Sequence, residues 1–292
     1  MKKITVLFLL LCLLLTACGN TQPAAQVAAT TLPVYEFTTI LCEGTSITVT
    51  QLVTESVSCL HDYSLNVRQV KAAEAAKIIV ISGAGLEEFM EDILRNKQVI
   101  DASRGIVLLS GESEHSHEEE NHVGHHHEED PHIWLSPINA KAMAQNICNG
   151  LAQQYPQYEA VFSANLEGLL VQMDALQAYG QEQLSHLSCR EMITFHDGFA
   201  YFADAFGLTI LEAVEEESGS EASAKELIHL IEEVEHHHLP AIFTEINGSV
   251  SAADIISRET GAKCYALDMA MSGESWLDAM YRNIDTVKEA LE

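Results

Sequence analysis

Residues 156–187 read PQYEAVFSANLEGLLVQMDALQAYGQEQLSHL, and they decide how the chain is organised. Val161, Phe162, Leu166, Leu169, Leu170, Met173, Leu176 and Tyr179 recur at steps of three and four, the period of one apolar helix face. No strand-like run interrupts them. A helix of about 30 residues is about 45 Å long, the width of a whole domain, so the stretch reads as one rigid spine joining two lobes. Gly168 and Gly180 leave open a second arrangement, two shorter helices broken at one of them.

On either side of the spine, apolar runs of strand character alternate with helical segments. The expected strands are 27–31, 47–52, 77–82 and 106–109 before it, and 192–195, 241–244 and 264–267 after it. Ile78-Ile79-Val80-Ile81 is continuous rather than alternating, as in a strand covered on both faces of a parallel sheet. Helical patterns of about 10–15 residues between many of these runs give the βαβ signature. The expected fold is therefore α/β: two lobes, 27–155 and 188–292, each with a mostly parallel sheet flanked by helices, joined by the helix 156–187. A mature chain of about 275 residues fits two domains better than one core.

The first residues read as an export signal. Lys2 and Lys3 precede an apolar run, 4–15, that ends in Leu15-Thr16-Ala17-Cys18. The run is too short to span a bilayer, which takes about 20 residues, and its basic start and small-residue end describe a secretory leader, 1–17. Leu-Thr-Ala-Cys resembles the bacterial lipobox, which makes Cys18 the expected lipidated residue and 18–26 a polar tether on the membrane. The formal net charge of −28 argues against nucleic acid, whose phosphates demand a basic face. It fits a protein that concentrates cations.

Part of that charge is local. Residues 111–130 read GESEHSHEEENHVGHHHEED, with almost no apolar content, and are expected to form a flexible loop. Its His115, His117, His122, His125, His126 and His127 offer weak, exposed nitrogen donors beside many carboxylates; incidental affinity of a solvated insert is the plainer alternative. His236-His237-His238 reads as a helix end rather than a second site. Of the seven cysteines, Cys42, Cys59, Cys148, Cys189 and Cys264 lie beyond the leader and lack C-x-x-C spacing, so a zinc ribbon is not expected. Cys42 with Cys59 is the disulfide to test first, with buried free thiols the equal alternative.

Several potential metal donors stand just after strand-like runs: His61 beyond the turn after 47–52, His196 after 192–195, Glu245 after 241–244 and Asp268 after 264–267. In open α/β sheets ligands collect beyond the carboxyl ends of strands, so such side chains from two facing lobes would converge on the cleft between them. His132 sits where the acidic loop re-enters the fold, stiffened by Pro131. Neutral imidazoles with a carboxylate suit Zn²⁺, which takes about four ligands. Any one of these histidines alone is more often a hydrogen-bonded structural residue.

Taken together, His61-Asp62-Tyr63-Ser64, Asp130-Pro131-His132-Ile133-Trp134-Leu135-Ser136-Pro137, Phe195-His196-Asp197-Gly198-Phe199-Ala200-Tyr201-Phe202, Phe243-Thr244-Glu245 and Leu267-Asp268 resemble the metal-binding lipoproteins of the zinc and manganese ATP-binding-cassette uptake systems. The resemblance runs from about Val27 to the C-terminus. It implies two α/β lobes, a rigid connecting helix and one buried metal between them. It also implies His61, His132, His196 and Asp268 as ligands, the last shared with or replaced by water, and Glu245 as the residue holding an imidazole proton. It implies a membrane permease of an importer as partner, zinc as cargo, and no enzymatic activity; a monomer is expected. Leu65-Asn66-Val67 lacks the prolines usual in the family after His61, and Met269 stands where a Pro is common.

In the family, members that favour manganese replace the third histidine with a carboxylate. His196 keeps this site nitrogen-rich and points to Zn²⁺. A zinc hydrolase is the rival from another class, but the chain has no H-E-x-x-H and no G-x-S-x-G. A surface adhesin or passive metal buffer is a third reading, compatible with transport.

Overall fold

The structure, a computed structural model, describes residues 26–55, 60, 63–110, 129–214, 222–246, 248–273 and 275–292. Two four-stranded parallel sheets flank a long helix. The first contains β1 (Val27–Ala29), β2 (Val49–Gln51), β3 (Ile78–Ile81) and β4 (Gln98–Asp101) in the order β2-β1-β3-β4. The second contains β5 (Glu191–Thr194), β6 (Thr209–Ala213), β7 (Ala241–Glu245) and β8 (Lys263–Leu267) in the order β6-β5-β7-β8. Every pairing between these strands is parallel, and both sheets have the same winding, with the strand order reversing between β1 and β3 and between β5 and β7.

Helices α1 (Leu32–Leu41), α2 (Val67–Ala75), α3 (Glu91–Leu94) and α4 (Pro137–Gln154) accompany the first sheet. Their starts are chemically marked. Asn66 and Gln69 form a reciprocal capping box on α2, and Ser136 caps α4 with Pro137 in its first turn. Helices α6 (Ala200–Phe206), α7 (Ala224–His236), α8 (Ser251–Thr260) and α9 (Trp276–Leu291) accompany the second. Ser223 and Glu226 box the start of α7, and the three-histidine run forms its end, with His237 at the cap.

The spine is α5, Glu159–Gln183, 25 residues without a break. It is shorter than the 156–187 expected, because Pro156–Tyr158 form a separate 3-10 turn and the helix stops at Gln183. At ~1.5 Å per residue it is about 37 Å long. The arrangement of two helices broken at a glycine is not found. Gly180 is inside the helix because a methyl there would lie 2.2 Å from the ring of Phe206, so α5 and α6 touch at a point only glycine permits. Gly168 meets nothing within 4 Å and is tolerated on an open face.

Two strands depart from the sequence expectation. The fourth strand of the first sheet is 98–101, not 106–109, and 209–213 is a further strand. Ile106, Leu108 and Leu109 are apolar because they pack against the core as irregular chain. Cys42, Cys148, Cys189 and Cys264 are free thiols. Burial pushes the Cys42 thiol up to about 12; Cys59, the partner expected for it, lies outside the described residues.

One core runs through both lobes. The largest cluster of buried residues joins Val27, Phe37 and Trp134 to Met192, Phe243, Trp276 and Leu291. Hydrogen bonds cross with it. The indole of Trp134 donates to the carbonyl of Met269 at 2.7 Å, that of Trp276 donates to the carbonyl of Trp134 at 3.1 Å, and Leu32 N–H donates to Met271 O at 3.2 Å. The carboxylate of Glu36 receives the N–H of Trp276 at 2.6 Å and the hydroxyl of Ser275 at 3.2 Å. No helix among the described residues is long and apolar enough to cross a membrane.

Candidate metal centre

His132 is held by its own neighbours. Oδ1 of Asp130 accepts from the backbone N–H of His132 at 2.8 Å and lies 2.7 Å from the ring Nδ1. Pro131 between them supplies the bend that lets a side chain reach two residues on. The following residues, Ile133–Leu135, form a buried 3-10 turn, and the Trp134 ring meets the His132 ring edge to face at 5.4 Å. Each residue of this motif thus has a local task. Asp130 orients the imidazole, Trp134 pins it to the opposite lobe, and Ser136 starts α4.

His196 is placed by sheet register. Thr194 of β5 pairs with Phe243 of β7, so two residues further on His196 stands beside Glu245. Oε1 of Glu245 lies 3.0 Å from Nδ1 of His196. This is the point where strand order reverses in the second sheet, the place where such folds bind ligands. His132 and His196 are both 1% exposed, and Asp130 and Glu245 only 7% and 5%.

The two imidazoles meet across the lobes. Their rings stand nearly perpendicular, 84° apart, with the two Nε2 atoms 3.5 Å from one another. With a carboxylate beside each Nδ1, a ring proton held there would leave both Nε2 lone pairs aimed into the gap, an arrangement that a cation between them would satisfy. Two imidazoles on one tetrahedral Zn²⁺ at about 2.0–2.1 Å have their nitrogens ~3.3 Å apart, close to the separation found.

Asp268 follows β8 as expected, but its carboxylate is engaged elsewhere. Oδ1 accepts from Ala270 N–H at 2.8 Å and Oδ2 pairs with Arg282 at 3.0 Å, while Asn283 of α9 holds the backbone N–H and C=O of the same residue. As a ligand it would have to leave Arg282. His61 lies outside the described residues, as do His115, His117, His122, His125, His126, His127 and Cys18. Among the described residues no group of three or more His, Cys, Asp or Glu is arranged to hold a metal ion; the imidazole pair is what comes together. The ends of the acidic segment are described: Ser110 and Glu129 form an antiparallel bridge, and Asp130 N–H donates to Leu109 O at 2.9 Å.

Sequence reading assigned no role to Asp130, Trp134, Tyr201, Arg282 or Asn283. Asp130 had a visible signal, since an Asp two residues before a His can bond both its N–H and its ring. The others act over 14 to 135 residues of chain.

A family model described as "Zinc-uptake complex component A periplasmic" (ZnuA) matches residues 27–290. The chain belongs to this family. It is 31% identical over 313 residues to the zinc-binding lipoprotein AdcA of Streptococcus pneumoniae serotype 4, a match that covers 100% of this chain and 62% of that protein. The chain thus spans about three-fifths of that relative's length. Among solved structures, a crystal structure of ZnuA superposes with a TM-score of 0.77 at 27% identity, covering 91% of this chain and 99% of the other. The Zn(II)-bound ZnuA-like domain of Streptococcus pneumoniae AdcA gives 0.75 at 26%, covering 91% and 98%. Both likenesses agree with two parallel sheets on one long helix.

Proposed function

We propose that this chain is an extracytoplasmic lipoprotein, anchored through Cys18, that captures Zn²⁺ between its lobes and delivers it to the membrane permease of an ATP-binding-cassette importer. One observation carries the reading: two buried imidazoles from different lobes face each other at 3.5 Å through their Nε2 atoms, each with a carboxylate behind it. Nitrogen donors favour Zn²⁺ over the harder Mn²⁺. In this reading His132 and His196 are two ligands, His61 the third, and Asp268 or water the fourth. Glu245 and Asp130 hold the ring protons. The lobes are 27–155 and 188–292 with the helix between them, and the leader 1–17 and tether 18–26 place the chain on the outer face of the membrane. The histidines of the acidic loop gather metal rather than hold it, and the protein acts as a monomer without enzymatic activity.

The test is competitive titration of the purified mature protein with Zn²⁺ and Mn²⁺, beside His61→Ala, His132→Ala, His196→Ala and a version lacking 111–128. One tight Zn²⁺ equivalent, lost in each histidine variant and kept without the loop, is expected. A tight equivalent that survives the triple substitution in the loopless protein refutes the site.

A further inference from the structure

We propose that Tyr201 is a positioning residue for the imidazole pair: its hydroxyl ties the segment carrying His132 to the helix that follows His196, and so sets the gap between the two rings. The proposal rests on the metal reading above. Tyr201 lies in α6, five residues after His196, with its ring 3% exposed. Its hydroxyl accepts from Leu109 N–H at 2.9 Å and donates to the carbonyl of Asp130 at 2.9 Å. Asp130 N–H in turn donates to Leu109 O. The phenol therefore closes a ring of three hydrogen bonds with the two chain segments that enter and leave 111–128.

Asp130 links the clamp to the imidazole. Its carbonyl is held by Tyr201 and its carboxylate by the N–H and Nδ1 of His132. One residue thus receives the clamp on its backbone and transmits the orientation through its side chain. The helix supplying the clamp is the one whose approach contains His196, so a single hydroxyl references each ring to the other lobe. A phenol suits the place because it has one donor and one acceptor direction, and both are used. Desolvation by burial, with the charges of Asp130 and Glu129 nearby, raises Tyr201 to about 12, so the hydroxyl keeps its donor proton. Without it, Leu109 N–H and Asp130 C=O lose a common partner, and His132 follows the ends of the acidic segment instead of α6.

Tyr201→Phe keeps the ring, and the indole bonds of Trp134 and Trp276 still join the lobes, so the variant folds. Zinc affinity should fall, by no more than the roughly 10–100-fold that losing a direct partner of a metal-binding His costs, mainly through faster release. Two readouts separate positioning from general loosening. The ligand-field spectrum of the Co²⁺-loaded variant should change, and in the metal-free variant the ring ¹⁵N resonances of His132 should shift or broaden. Glu36→Gln, which weakens the inter-lobe tie at Trp276 away from the imidazoles, is the control; it should lower thermal stability with little effect on either signal. A Tyr201→Phe protein with the parent's Zn²⁺ release rate and Co²⁺ spectrum, or with changes no larger than Glu36→Gln at equal loss of stability, overturns the proposal while leaving the metal site standing. If the parent's Zn²⁺ binding is indifferent to His132→Ala and His196→Ala, both fall.

Discussion

Trp134→Phe tests whether the two lobes unfold as one body. Trp134 is fully buried, and its indole N–H crosses between lobes to Met269 O at 2.7 Å. Phenylalanine keeps an aromatic ring but leaves that buried carbonyl without its donor, at a cost of about 1–3 kcal/mol. The missing part of the indole leaves a void in the core, adding ~1–2 kcal/mol, a fraction of the 3–5 typical of full aromatic removal. A loss near 3 kcal/mol in a chain of this size lowers Tm by about 6–12 °C. Because the core is continuous through both sheets, calorimetry of the metal-free protein should show a single transition that moves as a whole. Two transitions of which one stays fixed would refute the shared core. A shift of under ~2 °C would refute the value placed on the crossing bond.

Glu245→Gln removes the carboxylate 3.0 Å from His196 Nδ1 and should weaken Zn²⁺ binding about 10–100-fold, or ~1.4–2.8 kcal/mol, by chelator competition; parent-like affinity would show that Glu245 does not orient the ring. Glu87 is fully buried and raised to about 7, chiefly by desolvation and despite hydrogen bonds from Thr30, Gly83 and Ser82, with Asp101 also raising it. A carboxyl whose folded value exceeds its unfolded one is favoured in its protonated form, so its contribution to stability declines as pH rises from about 4.5 to 7, by on the order of 3 kcal/mol in all. Denaturant titrations from pH 5 to 7.5 should therefore show the parent losing stability relative to Glu87→Gln, and parallel profiles would count against it. Small-angle scattering of metal-free and Zn²⁺-loaded protein should give nearly equal radii of gyration, since α5 and the inter-lobe bonds offer no hinge; a contraction of several ångströms would contradict this.

What the sequence disclosed, and what it hid, divides along physical lines. The spine and β3 were legible because their burial is written as local periodicity: a three-four repeat in one, an unbroken apolar run in the other. β4 and β6 were not, because they are edge strands with mixed exposure, reading QVID and TILEA, and half-covered strands carry a weak alternating signal. The run at 106–109 misled for the converse reason: it is apolar through packing, not pairing. His132 and His196 were marked by neighbouring residues. Their meeting, and the place of Glu245 behind His196, depend on register between β5 and β7, which no local pattern encodes. Asp268 shows the limit most clearly. Its position after β8 was readable, whereas its commitment to Arg282 and Asn283 arises from how α9 docks.

That docking bears on when the protein can become itself. Phe37, near the start of the first lobe, lies edge-on to Trp276 at 5.0 Å, and Glu36 receives the first turn of α9. The early sheet therefore completes its interior with a helix made some 240 residues later. Contacts of such long sequence separation slow folding, and here they also order it in time: as the chain emerges from the ribosome, its first half can collapse but cannot close. For a polypeptide that must be threaded through a membrane before it works, as the leader proposed here requires, that delay is an advantage. With such a leader, the chain would stay loose enough to be exported and would close once α9 had crossed.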